Sequence, residues 1–182
     1  VQPGRIAIVP GLSCQHEGLR GHPAVAQIPD VMRGEETQIL GALAATGSIE
    51  ATLVLPGTHS KWASVSNRRI EDFTTYMTGE VYQLLRQHSI LSRTLAPAPD
   101  NAPDEEAFDW GVMRALEGRG LLQTAFSART LSLFRQVPAE RLADYLSGLV
   151  IGEELRMQAR DPATSVLVVG APALAARYER AL

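Results

Sequence analysis

The chain has 182 residues, 45% of them hydrophobic and 20% charged, with a formal net charge of -3. This is an ordinary globular composition, and the small negative charge gives no basic field for a nucleic acid or an anionic membrane. The single cysteine, Cys14, excludes an internal disulfide and is typical of a reducing, cytoplasmic compartment, and no apolar run has the length of a membrane span.

The first fifty residues predict a strand, a long loop and a helix. Residues 5–9 are apolar after Arg5 and stop at a Pro-Gly pair, which is typical of a short buried strand. Residues 12–30 contain scattered Gly, Pro, His and Ser and predict a loop. Residues 35–45 predict a helix, because acidic residues occupy the first turn, apolar residues share one face, and Gly47 follows the end.

The next segment predicts an antiparallel meander of three strands. Its strands are expected at Ala51–Leu55, 62–66 and 70–77, with a turn at residues 67–69 between the second and the third. A helix is then expected to begin at Thr78, and the proline-rich residues 95–103 to form a loop.

The last part of the chain predicts three helices, a strand and a final helix. The helices are expected at Glu105–Leu116, 121–135 and 139–159, the last with Pro138 near its start. Residues 165–169 are apolar after Ser165, as in a buried central strand. Residues 173–182 are predicted to be helical. A meander followed by crossover helices and a buried strand indicates an α/β fold with a mixed sheet and flanking helices.

A first candidate site is the turn within residues 55–62, Leu-Pro-Gly-Thr-His-Ser-Lys-Trp. Gly57 allows the backbone to approach a ligand, successive N–H groups in such a turn can bind an anion, and Thr58 adds a hydroxyl. His59 or Lys61 could add positive charge beside a phosphate. The alternative is a plain hairpin turn, because Pro-Gly turns are common.

A second candidate is the start of the helix at residues 32–38. Phosphoryl transfer to a hydroxyl needs a carboxylate that orients the alcohol and accepts its proton, together with cationic groups for the phosphate charge. Glu35 and Arg33 are of these types. The alternative is that Glu35 and Glu36 only complement the helix dipole.

Two further candidates lie where a helix begins. Thr78 is a plausible N-cap, and the exposed helix start with Gly79 suits a phosphate or ribose contact. Gly170 and Ala171 follow the predicted strand at 165–169, where open α/β sheets place ligands, and are small enough for an adenine to lie against the backbone. The alternatives are an ordinary helix cap and an ordinary strand-to-helix turn.

Taken together, several segments in this order resemble the 2-dehydro-3-deoxygalactonokinase family. The Arg-Gly-Glu-Glu-Thr-Gln and Pro-Gly-Thr-His-Ser-Lys-Trp stretches are specific, and the others are supportive. The segments are VMRGEETQ (31–38), LPGTHSKW (55–62), MTGE (77–80) and LSGLVIGEE (146–154), with IVPGL (8–12) and ARY (176–178).

The resemblance implies a sugar-acid kinase with a ribonuclease H-like lobe of the actin/hexokinase-like superfamily. Such an enzyme transfers the γ-phosphate of ATP, with Mg²⁺, to 2-dehydro-3-deoxy-D-galactonate. Glu35 falls where related kinases carry a catalytic Asp, so it is the expected base, and Glu36 stays an alternative because Glu replaces Asp.

The resemblance also implies roles for the other candidates. Arg33 or Lys61 would hold the substrate carboxylate or the transferring phosphate. The segment Gly57, Thr58 and His59 would cradle the γ-phosphate. The expected nucleotide contacts are Thr78, Gly79, Gly170 and Ala171.

The family's opening phosphate and metal loop, with the motif Asp-x-Gly-[Ser/Thr]-[Thr/Asn], does not occur here, and neither does its closing Gly-Asp. We therefore expect a chain truncated at both ends, with residues 1–30 at the edge of an N-terminal lobe and 31–182 in a C-terminal ATPase-like lobe. The metal ligands are not identified, and a homodimer is left open. Two rival functions are a sugar-acid or nucleotide sensor and a phosphohydrolase of the same fold.

Overall fold

The computed structural model describes residues 9–96, 102–158 and 165–182. These residues form two compact units. The first comprises residues 9–56, 60–75 and 165–171, and the second comprises 57–59, 76–96, 102–158 and 172–182. Helices and strands together confirm the predicted α/β class.

The described residues of the first unit form one α-helix, six strands and a short 3₁₀ turn at Pro23–Val25. The helix and the strands are, in chain order, β1 (Leu12–Glu17), β2 (Gln27–Met32), α1 (Glu35–Thr46), β3 (Ala51–Leu55), β4 (Ser60–Ser66), β5 (Arg69–Tyr76, of which Tyr76 is assigned to the second unit) and β6 (Val166–Val168).

The main sheet of the first unit is mixed, as predicted. Its strand order is β5-β4-β3-β6, with β3 antiparallel to β4 and parallel to β6. Between β4 and β5 only Asn67 and Arg68 intervene, and both have positive φ (49° and 58°). Two such residues form the tight turn whose twist matches a hairpin. The predicted meander is therefore confirmed.

The prediction of a loop over residues 12–30 is wrong, because β1 and β2 pair there as an antiparallel hairpin. The Gly and Pro residues that suggested a loop lie mainly in the connection, where Gly18 N–H donates to Ala26 O at 3.0 Å. Most side chains of both strands are exposed, so the segment lacks the alternation of apolar and polar residues that marks a strand.

The two remaining predicted strands are those at residues 165–169 and 5–9. Strand β6 is half-buried and lies at the edge of the sheet, so the expected central position is wrong for the residues described. Of its residues, Leu167 packs against the core cluster of this unit. The predicted strand at 5–9 lies outside the described residues, apart from Val9, which is not in a strand.

The first unit contains a hydrophobic core cluster to which helix α1 and the strands contribute. Helix α1 contributes Ile39 and Leu43, and its left-handed Gly47 (φ 71°) ends the helix. The remaining buried members are Met32, Leu53, Leu55, Ala63, Val65 and Phe73.

The second unit is helical. Its helices are α2 (Thr78–His88), α3 (Glu105–Leu116), α4 (Leu121–Thr124), α5 (Ser127–Leu133), α6 (Leu142–Met157) and α7 (Pro172–Ala181). The predictions for α3 and α7 are confirmed within one residue at each end, and the predicted start of α2 at Thr78 is confirmed. No helix among these residues has the length and apolarity to cross a lipid bilayer.

Two helix predictions are corrected in part. The helix expected over 121–135 is divided into α4 and α5, because the Ser127 hydroxyl donates to Thr124 O (2.5 Å) and Ala128 N–H donates to Ala125 O instead. The helix expected over 139–159 begins with a 3₁₀ turn at Ala139–Arg141, and α6 itself starts at Leu142. Residue 159 lies outside the described part of the chain.

Helices α3 and α6 pack backbone to backbone. Gly111 and Gly148 lie at the crossing, and a Cβ at either position would overlap a carbonyl group of the other helix. Along α6, eleven residues are buried, including Leu146 and Leu149, which are fully buried. Helix α6 is therefore the central element of this unit.

Candidate functional site

The second unit contains a pocket of about 360 Å³. Four segments contribute to it: the turn before β4, the start of α2, one face of α6, and α7. The lining residues are Gly57, Thr58, Thr78, Gly79, Tyr82, Gln83, Ser147, Val150, Ile151, Leu174, Arg177 and Tyr178. Its volume is within the range of small-molecule sites.

Four of the predicted site residues meet in this pocket: Gly57, Thr58, Thr78 and Gly79. The turn and the helix are joined by the bond from Glu80 N–H to Thr58 O, at 3.0 Å. They approach so closely that a Cβ at position 79 would lie 2.8 Å from Thr58 Cα. Glycine at 79 therefore brings the N–H groups at the start of α2 beside the turn, which favours binding of an anion.

Thr78 has a different role from the predicted N-cap. The cap position is Met77, and the Thr78 hydroxyl donates to the Glu154 carboxylate. The same carboxylate oxygen accepts from the Tyr178 hydroxyl at 2.7 Å. Glu154 is only 3% exposed, so this shared carboxylate ties α2 and α7 to α6 inside the unit.

We expect Tyr178→Phe to lower the free energy of unfolding by about 1.5–3 kcal/mol, because it removes a hydrogen bond to a buried carboxylate. Denaturant unfolding measures this difference. Tyr82→Phe is the matched control, since the Tyr82 hydroxyl makes two long hydrogen bonds, donating to the Ala143 carbonyl and accepting from Arg86 Nη1, both at 3.4 Å. Equal stability of Tyr178→Phe and the unmodified chain would contradict the described network.

The pocket also has a cationic group that sequence reasoning left without a role. Arg177 donates through Nη2 to Asp144, and its guanidinium lies 5.3 Å from the centre of the Phe108 ring. Its Nη1 is buried and has no hydrogen-bond partner among the described residues. In contrast to this cation, Val150, Ile151 and Leu174 give the pocket apolar walls.

Two of the predicted phosphate ligands bind other protein groups. His59 Nε2 lies 2.6 Å from Glu80 Oε2. Lys61 is 6% exposed and belongs to the first unit, where its ammonium donates to Thr75 Oγ1 at 2.7 Å. Neither residue lines the pocket.

The predicted catalytic residues lie in the first unit, at the start of α1. Gly34 has φ 104°, a conformation suited to glycine, and follows the exposed Arg33. Glu35 is half-buried and accepts from Arg33 N–H at 2.9 Å. Glu36 is buried and accepts through Oε2 from Gly34 N–H at 2.7 Å.

The two carboxylates at the start of α1 differ in access. Glu35 is oriented by the backbone yet reachable from solvent, as a general base must be. Glu36 Oε1 is buried and has no partner in the described chain. A carboxylate oxygen of this kind is a hard donor that suits Mg²⁺ or a bound water.

Gly170 and Ala171 belong to the first unit, after β6. Val169 N–H donates to Val54 O at 2.9 Å, and a Cβ at position 170 would lie 3.5 Å from Pro56 Cδ. The predicted strand-to-helix turn is thus present. The helix that follows it supplies Leu174, Arg177 and Tyr178 to the pocket.

Comparison with known proteins gives a consistent result. The chain is 37% identical over 179 residues to the 2-dehydro-3-deoxygalactonokinase of Escherichia coli (strain K12). It is 38% identical over 180 residues to a Rhizobium meliloti (strain 1021) protein named probable 2-dehydro-3-deoxygalactonokinase DgoK1. Each match covers 97% of this chain and 56% of the relative, so the chain spans about half the length of these curated relatives.

A solved structure with a similar name also resembles this chain. The crystal structure of a candidate 2-dehydro-3-deoxygalactonokinase from Sinorhizobium meliloti superposes with a TM-score of 0.76 at 34% identity, covering 94% of this chain and 55% of that one. The family model described as 2-keto-3-deoxy-galactonokinase matches residues 1–182. The chain therefore belongs to the 2-keto-3-deoxy-galactonokinase family.

Proposed function

We propose that this chain is the nucleotide-binding and catalytic part of an ATP-dependent kinase that phosphorylates 2-dehydro-3-deoxy-D-galactonate. The observation that carries the proposal is the pocket in which Gly57, Thr58, Gly79 and Arg177 meet. It combines apolar walls with anion-binding groups, as a nucleotide requires. Membership of a family named for this reaction supports the proposal.

ATP fits the two chemical halves of the pocket. The apolar side chains of Val150, Ile151 and Leu174 suit a purine. The N–H groups at the start of α2 and the free Nη1 of Arg177 suit phosphate oxygens. The close contact of Gly57 and Thr58 with Gly79 fixes the conformation of the turn before the phosphates bind.

We assign the general base to Glu35. Phosphoryl transfer to a hydroxyl proceeds largely by positioning and electrostatic stabilisation, with a carboxylate that accepts the hydroxyl proton. Glu35 is accessible and oriented, whereas Glu36 is 2% exposed and bonded to Gly34. Arg33 is exposed and suits the substrate carboxylate. Lys61 is a weaker candidate for this role than Arg33, because its ammonium donates to Thr75.

Mg²⁺ would supply charge neutralisation at the β- and γ-phosphates. Its ligands would include those of the family's opening phosphate loop, whose Asp-x-Gly-[Ser/Thr]-[Thr/Asn] motif does not occur in this sequence.

We also retain the proposal of a ribonuclease H-like lobe. The mixed sheet, its meander and the parallel β3–β6 pair are features that such a lobe requires. On this reading residues 31–182 belong to the C-terminal lobe of a two-lobed kinase and residues 1–30 to the edge of the other lobe. The active site of such a kinase would close between lobes and exclude water.

The test is ADP release by the protein, expressed from its complete reading frame, with ATP, Mg²⁺ and a panel of 2-keto-3-deoxy sugar acids. We expect ADP release that depends on the galactonate-derived acid. ATP binding without dependence on any acid would support the sensor, and acid-independent ATP hydrolysis would support the phosphohydrolase. Either result would overturn the kinase proposal.

We expect Arg177→Gln to weaken ATP binding about 10- to 100-fold, because the variant loses one hydrogen bond between charged groups. Adenosine, which lacks phosphates, should bind the variant and the unmodified chain equally. Arg180→Gln is the matched control, because Arg180 lies on the same helix but pairs with Asp109 and Glu105. Calorimetric titration measures both ligands. Equal weakening for adenosine and ATP would contradict a phosphate contact.

A further inference from the structure

Outside the pocket, the first unit gathers three metal-binding side chains at one point. Cys14 and His16 alternate along β1, and Asp72 comes from β5. One ligand atom from each lies within 4.8 Å of the other two. Thiolate, imidazole and carboxylate are the ligand types of zinc sites. Nothing in the proposed kinase chemistry uses these residues.

The spacing of the first two ligands suits a tetrahedral ion. Cys14 Sγ lies 3.6 Å from His16 Nε2. A tetrahedral zinc ion, with bonds of about 2.3 Å to sulfur and about 2.0–2.1 Å to nitrogen, holds these two atoms about 3.5 Å apart. The pair therefore needs almost no rearrangement to chelate the ion.

The hairpin β1–β2 and strand β5 hold the ligands in place. Cys14 Sγ donates to the Phe73 carbonyl at 3.2 Å, next to Asp72 in sequence. Cys14 faces Asp30 across the hairpin, and Asp30 accepts from Thr75 N–H at 2.7 Å. Cys14 and His16 are half-buried and Asp72 is exposed, so an ion can enter from solvent.

The local charge also favours a cation. Asp30 Oδ2 lies 3.6 Å from His16 Nε2, which gives the site a second carboxylate beside Asp72. The ammonium of Lys61, which also belongs to this unit, donates to Thr75 Oγ1 at 2.7 Å.

We propose that Cys14, His16 and Asp72 form a site for a zinc-like transition-metal ion, distinct from the Mg²⁺ of phosphoryl transfer. A sulfur and an imidazole ligand select Zn²⁺ or Co²⁺ over Mg²⁺, which prefers oxygen. With three protein ligands, the fourth position is left to water or to Asp30. The ion would tie the exposed hairpin to the main sheet, independently of ATP.

Cobalt titration tests the site, because a thiolate bound to Co²⁺ gives a near-ultraviolet charge-transfer band. Cys14 is the single cysteine, so this band reports on it alone. We expect the band to saturate at one Co²⁺ per chain, to be abolished by Zn²⁺ and to be unaffected by Mg²⁺. His16→Gln should weaken Co²⁺ binding at least about a hundredfold, since even neighbours of metal ligands change affinity 10- to 100-fold.

Three variants complete the experiment. Cys14→Ser keeps a donor for the Phe73 carbonyl and should abolish the band, while Asp72→Asn should weaken Co²⁺ binding. His22→Gln is the matched control, because His22 is exposed in the same segment, and it should bind Co²⁺ as the unmodified chain does. Thermal unfolding without metal verifies that each variant is folded. Absence of the band in the folded unmodified chain, or unchanged Co²⁺ affinity in folded His16→Gln, would overturn the proposal.

Discussion

Glu35→Gln should lower kcat by about 10²- to 10⁴-fold while ATP binds as before. A positioned general base contributes an acceleration of this size, and an amide cannot accept the hydroxyl proton. The substitution keeps the shape of the side chain and an oxygen that can accept from Arg33 N–H, so the start of α1 should keep its structure. Steady-state ADP release and ATP titration measure the two quantities.

Two variants make this result specific to Glu35. Glu71→Gln removes an equal charge from an exposed position on β5 and should leave kcat unchanged. Glu36→Gln should mainly disturb the buried contact with Gly34 N–H. If Glu36→Gln lost turnover and Glu35→Gln kept it, Glu36 would be the base and our assignment would be wrong.

Gly148→Ala should lower the free energy of unfolding by about 3 kcal/mol, at the upper end of the cost of overpacking. Its Cβ would lie 2.9 Å both from the carbonyl carbon of Phe108 and from Val112 N. These are backbone atoms of α3, which cannot rotate away as a side chain can. Because α6 also carries Val150 and Ile151, the variant should bind ATP more weakly.

The control for this variant is the same substitution at Gly41, within α1. A Cβ there meets nothing within 4 Å. The higher helix propensity of alanine should then stabilise the protein by up to about 1 kcal/mol. Denaturant unfolding followed by circular dichroism compares the two. Equal stabilities for Gly148→Ala and Gly41→Ala would show that the α3–α6 contact is looser than described.

The strands and helices that were predicted correctly have strong local signals. The apolar run of β3 and the capped periodic pattern of α3 each specify a structure within a short window. The hairpin β1–β2 was missed because it exposes most of its side chains and is stabilised by pairing across the turn. Such pairing leaves little pattern in a single sequence.

The candidate site likewise contains residues with a local sequence signal and residues without one. Gly57 and Thr58 were identified because turn and anion-binding signals lie together in sequence. Glu154 and Arg177 were missed as site residues because each acts on a residue many positions away: Glu154 on Thr78, and Arg177 on Asp144. A carboxylate within the apolar pattern of α6 was the one available signal for Glu154. Helical periodicity indicates which residues share a face, but not which helix that face meets.

Amide hydrogen exchange, with and without a non-hydrolysable ATP analogue and Mg²⁺, tests most directly whether this pocket is the nucleotide site. We predict slower exchange at residues 57–59 and in the first turn of α2, where Thr78 and Gly79 line the pocket. The exposed connection at residues 18–26 should exchange at the same rate in both samples. Binding of the analogue with no slowing at 57–59 or at the start of α2 would contradict the account.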